Sequence, residues 1–288
     1  MTVAEELGAA NAATRMVVRR HPVVLAAILS DLVVRALDIA MAIHLGGPRN
    51  LNRTLIGTLA GDLSHDLDRV RRYEQARHPE PGITVRRDVI GMLTPGQASD
   101  RDITLTLVRN RQAAVRIAGA LADAIESRLG YHLDLRLSFS HDHDLDLARE
   151  LADGLKSLLD RDLALALDSS RHTRGIDHPV RRVLNLASER CRALDRVCAQ
   201  GVAGRLGISA TEGLAEALLD GALDDFTSAD LTRVSLAGVD LIGVRWSPSG
   251  TSWPPDISVR ALRARSKEMQ AGGGVLVVTR RAVLSAAR

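Results

Sequence analysis

Phe226, Leu231, Leu236, Leu241 and Trp246 recur every five residues through FTSADLTRVSLAGVDLIGVRW, a period that neither helix nor strand possesses. A helix returns side chains to one face about every 3.6 residues and a strand about every 2. Ala229, Val234, Val239 and Val244 sit two places before the last four large residues of that series. A square coil satisfies both sets: each side takes five residues, and its large central side chain points inward over a small one. The pattern spans 226–246, barely one circuit, in a chain of 288 residues. It constrains shape and says nothing of chemistry.

The rest of the chain reads as packed amphipathic helix. Hydrophobic residues make up 45% and aromatics only 2%, so Leu, Val, Ala and Ile must fill the core. So few aromatics disfavour a single-stranded nucleic-acid platform, which stacks bases on exposed rings. The net charge is +3, and Lys156 and Lys267 are the only lysines. Arginine bias of this kind follows from GC-rich coding as readily as from an anionic partner, and acids and bases alternate along most of the chain. Cys191 and Cys198 are seven residues apart on one expected helix face, about 10 Å along its axis, which is too far for a disulfide. Two reduced thiols and no recognisable secretory signal give a cytoplasmic expectation. The most apolar stretch, 23–43, carries Asp31, Arg35 and Asp38, which argues against a membrane span. It is expected instead to be a buried helix or one that faces a protein partner or a second copy.

Periodicity predicts helices over 22–45, 52–77, 100–129, 144–168 and 179–199, with Gly46-Gly47-Pro48 closing the first. Residues 131–139 alternate Leu133, Leu135, Leu137 and Phe139 with polar residues, which leaves strand and helix both open. Val259–Met269 suits a short basic helix, and Gly272-Gly273-Gly274 leads into an apolar strand at 275–278 that could pair with the coil. The fold class expected is mainly α: a helical array over 1–220, then a small coil-like β unit and terminal strand over 221–288.

Three constellations could carry chemistry. His141-Asp142-His143-Asp144 and His65-Asp66 combine imidazole with carboxylate, the donor set of zinc, manganese or iron. Adjacent side chains on a helix diverge by about 100° and cannot all face one ion, and Asp142 and Asp144 are equally good helix-start residues. The segment 201–220, which contains VAGRLGISATEGLAEALL, has the outline of a helix-turn-helix, with Arg205, Ser209 and Thr211 as candidate DNA contacts. Its second helix also carries Glu212 and Glu216, which repel phosphate. Arg260, Arg263 and Lys267 share one face of the basic helix and form a second candidate nucleic-acid contact, or a solvated surface. No P-loop, G-x-S-x-G elbow or dinucleotide fingerprint is present, so no resident organic cofactor is expected, and any cofactor would be a metal.

Ala229-Asp230-Leu231 and the five-residue beat around it resemble the pentapeptide repeat. From Gly213 onward, GLAEALLDGALDDFTSADL, GVDLIGVRW and WPP resemble a C-terminal module of uncharacterised actinobacterial proteins that are helical and rich in Leu, Asp and Arg. That resemblance implies architecture without an activity. The scattered His and His-Asp residues are similar to those of HD phosphohydrolases, which implies metal ligation by His44, His65, Asp66 and Asp123. The leading functional expectation is a non-enzymatic cytoplasmic interaction or regulatory protein. A DNA-associated regulator and a metal-dependent phosphohydrolase are the alternatives.

Overall fold

Two helices of 29 residues frame the protein: α2 (Pro22–Asn50) and α4 (His178–Leu206). The computed structural model describes residues 6–7, 10–19, 21–50, 62, 65–66, 69–70, 114–116, 118–126, 129, 143–166, 178–209, 211–237, 239–269 and 273–279. Among the described residues the protein is mainly α, with one three-stranded antiparallel sheet in its C-terminal part. Before α2 lies the short α1 (Ala12–Val18), whose first turn is capped by Asn11 accepting from Ala13 N at 2.8 Å. Helix α3 (His143–Ser157) continues through a π turn, Leu158–Asp162, to residue 166. The small helices α5 (Leu214–Leu219) and α6 (Val259–Ala264) come later.

Helix α2 is apolar nearly all round, so it must be covered on most sides. Its side chains from Val23 to Leu29 are all buried, as are Leu32, Val33, Ala36, Leu37 and Ala40. Helix α4 supplies one wall, through Leu184, Cys191, Leu194 and Cys198. Over 23–42 the stretch expected to meet a partner is therefore covered within the chain itself, leaving Asp38 and Ala42 as the exposed positions among its described side chains. Helix α2 also runs through Gly46-Gly47-Pro48 to Asn50, past the stop read from sequence. Two glycines cost a helix only about 1 kcal/mol each, which the preceding buried turns can offset. Residues 118–126 are helical and add Leu121 and Ile125 to the same core. The helix expected over 52–77 is described only at 62, 65–66 and 69–70, each helical; 131–139 lie outside the described residues.

The period of five in the sequence is the period of the backbone turns. Ala229, Val234, Val239 and Val244 each donate N–H to the carbonyl three residues back, at 2.9–3.1 Å. Four such sides bring the chain round: Phe226 N donates to Arg245 O at 2.8 Å, and Asp225 pairs in parallel with Arg245. The next pass pairs Asp230 with Ser252, two residues further on because the loop at 247–250 intervenes. That loop needs Gly250, since a Cβ there would stand 2.1 Å from Thr227 O. Phe226, Leu231 and Trp246 are completely buried inside the coil, and Leu236 nearly so. Asp225 and Asp230 brace the corners, each Oδ1 accepting from the backbone and hydroxyl of the threonine two residues on.

The sheet locks the coil's second pass. Strand β1 (Arg245–Trp246), β2 (Ser266–Glu268) and β3 (Leu276–Val278) lie in the order β1-β3-β2, with Trp246 opposite Leu276. Thus the terminal strand does pair with the coil. The basic helix, however, ends at Ala264 instead of reaching Met269, because Ser266–Glu268 leaves it to pair with β3. Trp246 Nε1 donates to Ser266 Oγ at 3.0 Å, and its ring meets Trp253 edge-on.

A one-circuit coil leaves carbonyls unpaired at its open end, and α1 answers them. Arg15 Nη1 donates to Asp225 O at 2.8 Å with its guanidinium over the Phe226 ring. Arg19 reaches Asp240 O (2.7 Å), Ile242 O (2.8 Å) and the Asp224 carboxylate (3.0 Å) at once. Its side chain is completely buried. Met16 joins the coil's core while Val18 joins the helical one, so α1 stitches the two. Replacing Arg19 by Met should cost about 3–5 kcal/mol in urea unfolding, because Asp240 O and Ile242 O lose their buried donor and the Asp224 carboxylate loses its 3.0 Å ion pair with Arg19. Arg19→Lys should recover little of this, since one ammonium cannot span the three acceptors.

Candidate functional site

The outward surface of the α3–α4 hairpin sorts charge in a way that the linear sequence conceals. On α4, Val180, Leu184, Ala187, Cys191, Leu194 and Cys198 fall at spacings of three and four and turn into the core. The same period then brings Arg181, Arg182, Arg192 and Arg196 to the opposite, exposed face, with Glu189 as the one acid exposed on that helix. Arg190 stands on the flank toward α3, its Nη1 lying over Gly154, where a Cβ would be only 1.8 Å away. On α3 the buried set is Leu145, Ala148, Ala152 and Leu155, and the exposed arc is Asp146, Glu150, Asp153 and Ser157. Lys156 points sideways to Asp123 (3.2 Å) and Glu126 (3.1 Å), though its charge and that of the half-buried Arg149 still act on Asp153. An acidic stripe and an arginine stripe thus run side by side. Between them Leu147 and Leu151 are half-buried and Leu186 is 43% exposed.

Sequence reading missed this surface because it judged charge by blocks along the chain. Alternating charges at helical spacing segregate once the helix is wound, and a 3.6-residue wheel of 178–206 would have revealed the arginine face.

The described residues singled out for metal are not gathered into one site. Asp66 is the hub of an ion-pair network, Oδ2 accepting from Arg35 at 2.6 Å and Oδ1 from Arg69 at 3.0 Å. His65 is exposed, its Nδ1 3.7 Å from Asp66 Oδ1. Arg69 also pairs with Asp220. His143 opens α3 on the surface, while His141 and the His44 side chain lie outside the described residues. Asp123 is held by Lys156. Among the described residues no group of three or more His, Cys, Asp or Glu is arranged to hold a metal ion.

The candidate DNA contacts are likewise dispersed. Helices α4 and α5 are joined by seven residues, 207–213, longer than the three or four of a helix-turn-helix. Leu214 and Leu218 anchor α5 as expected, leaving Glu212, Glu216 and Asp220 outward. Arg205 Nη1 donates to its own helix at Gly201 O (2.6 Å), and Ser209 N donates to Glu6. Thr211 is exposed. Arg260 and Arg263 on α6 and Lys267 on β2 are all exposed.

Behind the arginine stripe, the α2–α4 contact buries ionisable groups. Ser30 Oγ donates to Asp195 Oδ1 at 3.0 Å, and Cys191 Sγ donates to Ser30 O. Burial pushes the Asp195 carboxyl above its ordinary range, and does the same to Asp31 despite its pairing with Arg35. Burial and the nearby carboxylates push the Cys191 thiol far up, so it stays protonated. No protein-family model, curated protein or solved structure matches the chain.

These shifts set a pH dependence. A carboxyl whose folded pKa is raised binds its proton more tightly when folded, so its stabilising contribution is complete below the ordinary value of 3.8 and is lost as pH rises through the folded value. Asp195→Asn keeps an acceptor for Ser30 and cannot ionise. It should flatten the stability–pH profile above pH 3.8 and raise stability at neutral pH, as read by urea unfolding at stepped pH.

Proposed function

We propose that this chain is a non-enzymatic interaction or regulatory protein whose working surface is the α3–α4 hairpin. The observation that carries the reading is the juxtaposition of acidic and arginine stripes about a partly exposed aliphatic seam. Such a surface is built to meet another macromolecule, because apolar contact supplies affinity while flanking charges select partner and orientation. The buried thiols of Cys191 and Cys198 support residence in the cytoplasm. The likeness of the five-residue coil to pentapeptide-repeat modules enters as architecture: a rigid unit clasped by α1. Among the described residues no helix is long and apolar enough to cross a membrane.

Immobilised wild-type protein should retain a defined protein species from native lysate, and Arg182→Glu/Arg196→Glu should release it. Elemental mass spectrometry of the untagged protein is the opposing arm. Near-stoichiometric zinc, manganese or iron, lost on Asp66→Ala, would replace this reading with a metal-dependent hydrolase.

A second reading, a DNA-associated regulator, is favoured by Arg260, Arg263 and Lys267, exposed together with only Asp256 and Glu268 as exposed acids over 256–269. Duplex binding through them should weaken steeply with salt as phosphate counterions are released. Arg260→Ala/Arg263→Ala should then flatten the salt slope by about two. Salt-independent or absent binding sets that reading aside.

A further inference from the structure

Resting on the interaction reading above, we infer that the partner of the α3–α4 surface is a second copy of this chain, docked about a twofold axis parallel to the two helices. The argument is charge complementarity within one surface. Asp146, Glu150 and Asp153 form the acidic stripe of α3; Arg182, Arg190 and Arg196 lie on the neighbouring α4. Rotation by 180° about an axis lying between the helices, in the contact plane, sets α3 of each protomer over α4 of its partner. Both stripes then meet their opposites twice in a single isologous contact. The same rotation keeps height along the helices, and with Gly154 beside Arg190 it sets Leu186 opposite the half-buried Leu158, an apolar contact within the charged rim. Glu189, inside the arginine stripe, is the one local mismatch on α4.

Other occupants fit less well. A nucleic acid laid along α4 would run its phosphates beside the carboxylates of α3 and would compete with Asp38, which already pairs with Arg192 at 2.8 Å. A uniformly acidic protein would meet the same repulsion. Only a surface carrying both signs in matching order satisfies both stripes.

The test is sedimentation equilibrium of the untagged full chain at low and high salt. Wild type should show twice the chain mass at low salt, with association weakened on the order of tenfold or more at high salt. A base-reversed variant, Arg182→Glu/Arg190→Glu/Arg196→Glu, and an acid-reversed variant, Asp146→Lys/Glu150→Lys/Asp153→Lys, should each sediment as monomers. Their equimolar mixture should restore the two-chain species, which no loss of folding can imitate. Leu186→Asn, at an exposed position, should weaken association without altering either stripe.

A wild type that stays monomeric at low salt overturns the inference, as does a dimer indifferent to both reversals or a mixture that fails to reassociate. A monomer that still retains a foreign protein through Arg182 and Arg196 overturns self-docking alone and leaves the interaction reading standing. A monomer that binds duplex DNA through the α4 arginines overturns both.

Discussion

A single circuit of a five-residue coil has too little stacked against its ends to satisfy its own backbone, and the rest of this structure is arranged around that deficiency. Arg19 answers it on one side by reaching two main-chain carbonyls and the Asp224 carboxylate from a helix more than two hundred residues earlier. Arg15 does the same for Asp225 O and covers the Phe226 ring. On the second pass, the sheet takes over, with β3 pairing against β1. The coil is therefore braced by side chains supplied from residues 15 and 19, far from it in sequence. This bracing draws α1 out of the helical array and gives it residues in both cores.

The helical part obeys a different constraint. With almost no aromatic residues, apolar area must be gathered from many small aliphatic side chains, which requires long helices in close contact. Helix α2, apolar on nearly every side, takes the centre, and α4 lies along it. The polar groups caught between them, Ser30, Asp195 and Cys191, are joined by hydrogen bonds, as burial demands. Winding α3 and α4 against this core also sorts their charges. Residues that alternate in sign along the chain become an acidic stripe on one helix and an arginine stripe on the other.

Much of this was legible beforehand, and the reasons differ by element. The helix of 144–168 and the helix beginning at Pro179 were readable because one face is almost wholly apolar. The turns at 229, 234, 239 and 244 were readable because a period of five has few other structural meanings. Met269 was misassigned to a helix because propensity cannot foresee that β3 offers Ser266–Glu268 a pairing edge. Asp66 drew attention as a metal ligand because sequence shows its neighbour His65 but not Arg35 and Arg69, which close on it. The stretch 23–43 drew attention as a partner face because its apolarity was visible and the helices that cover it were not.

The sequence by itself determined the local geometry: which segments wind as helices, where the five-residue sides turn, and which faces are apolar. Those properties depend on neighbours a few residues apart, so they are written in the spacing. Only the tertiary structure decided that Arg15 and Arg19 close the coil, that α2 is enclosed, and that α3 and α4 set opposite charges side by side. Each of these joins residues far apart in the chain, and a guanidinium carries no mark of the carbonyl it will meet until packing brings the two within hydrogen-bond reach.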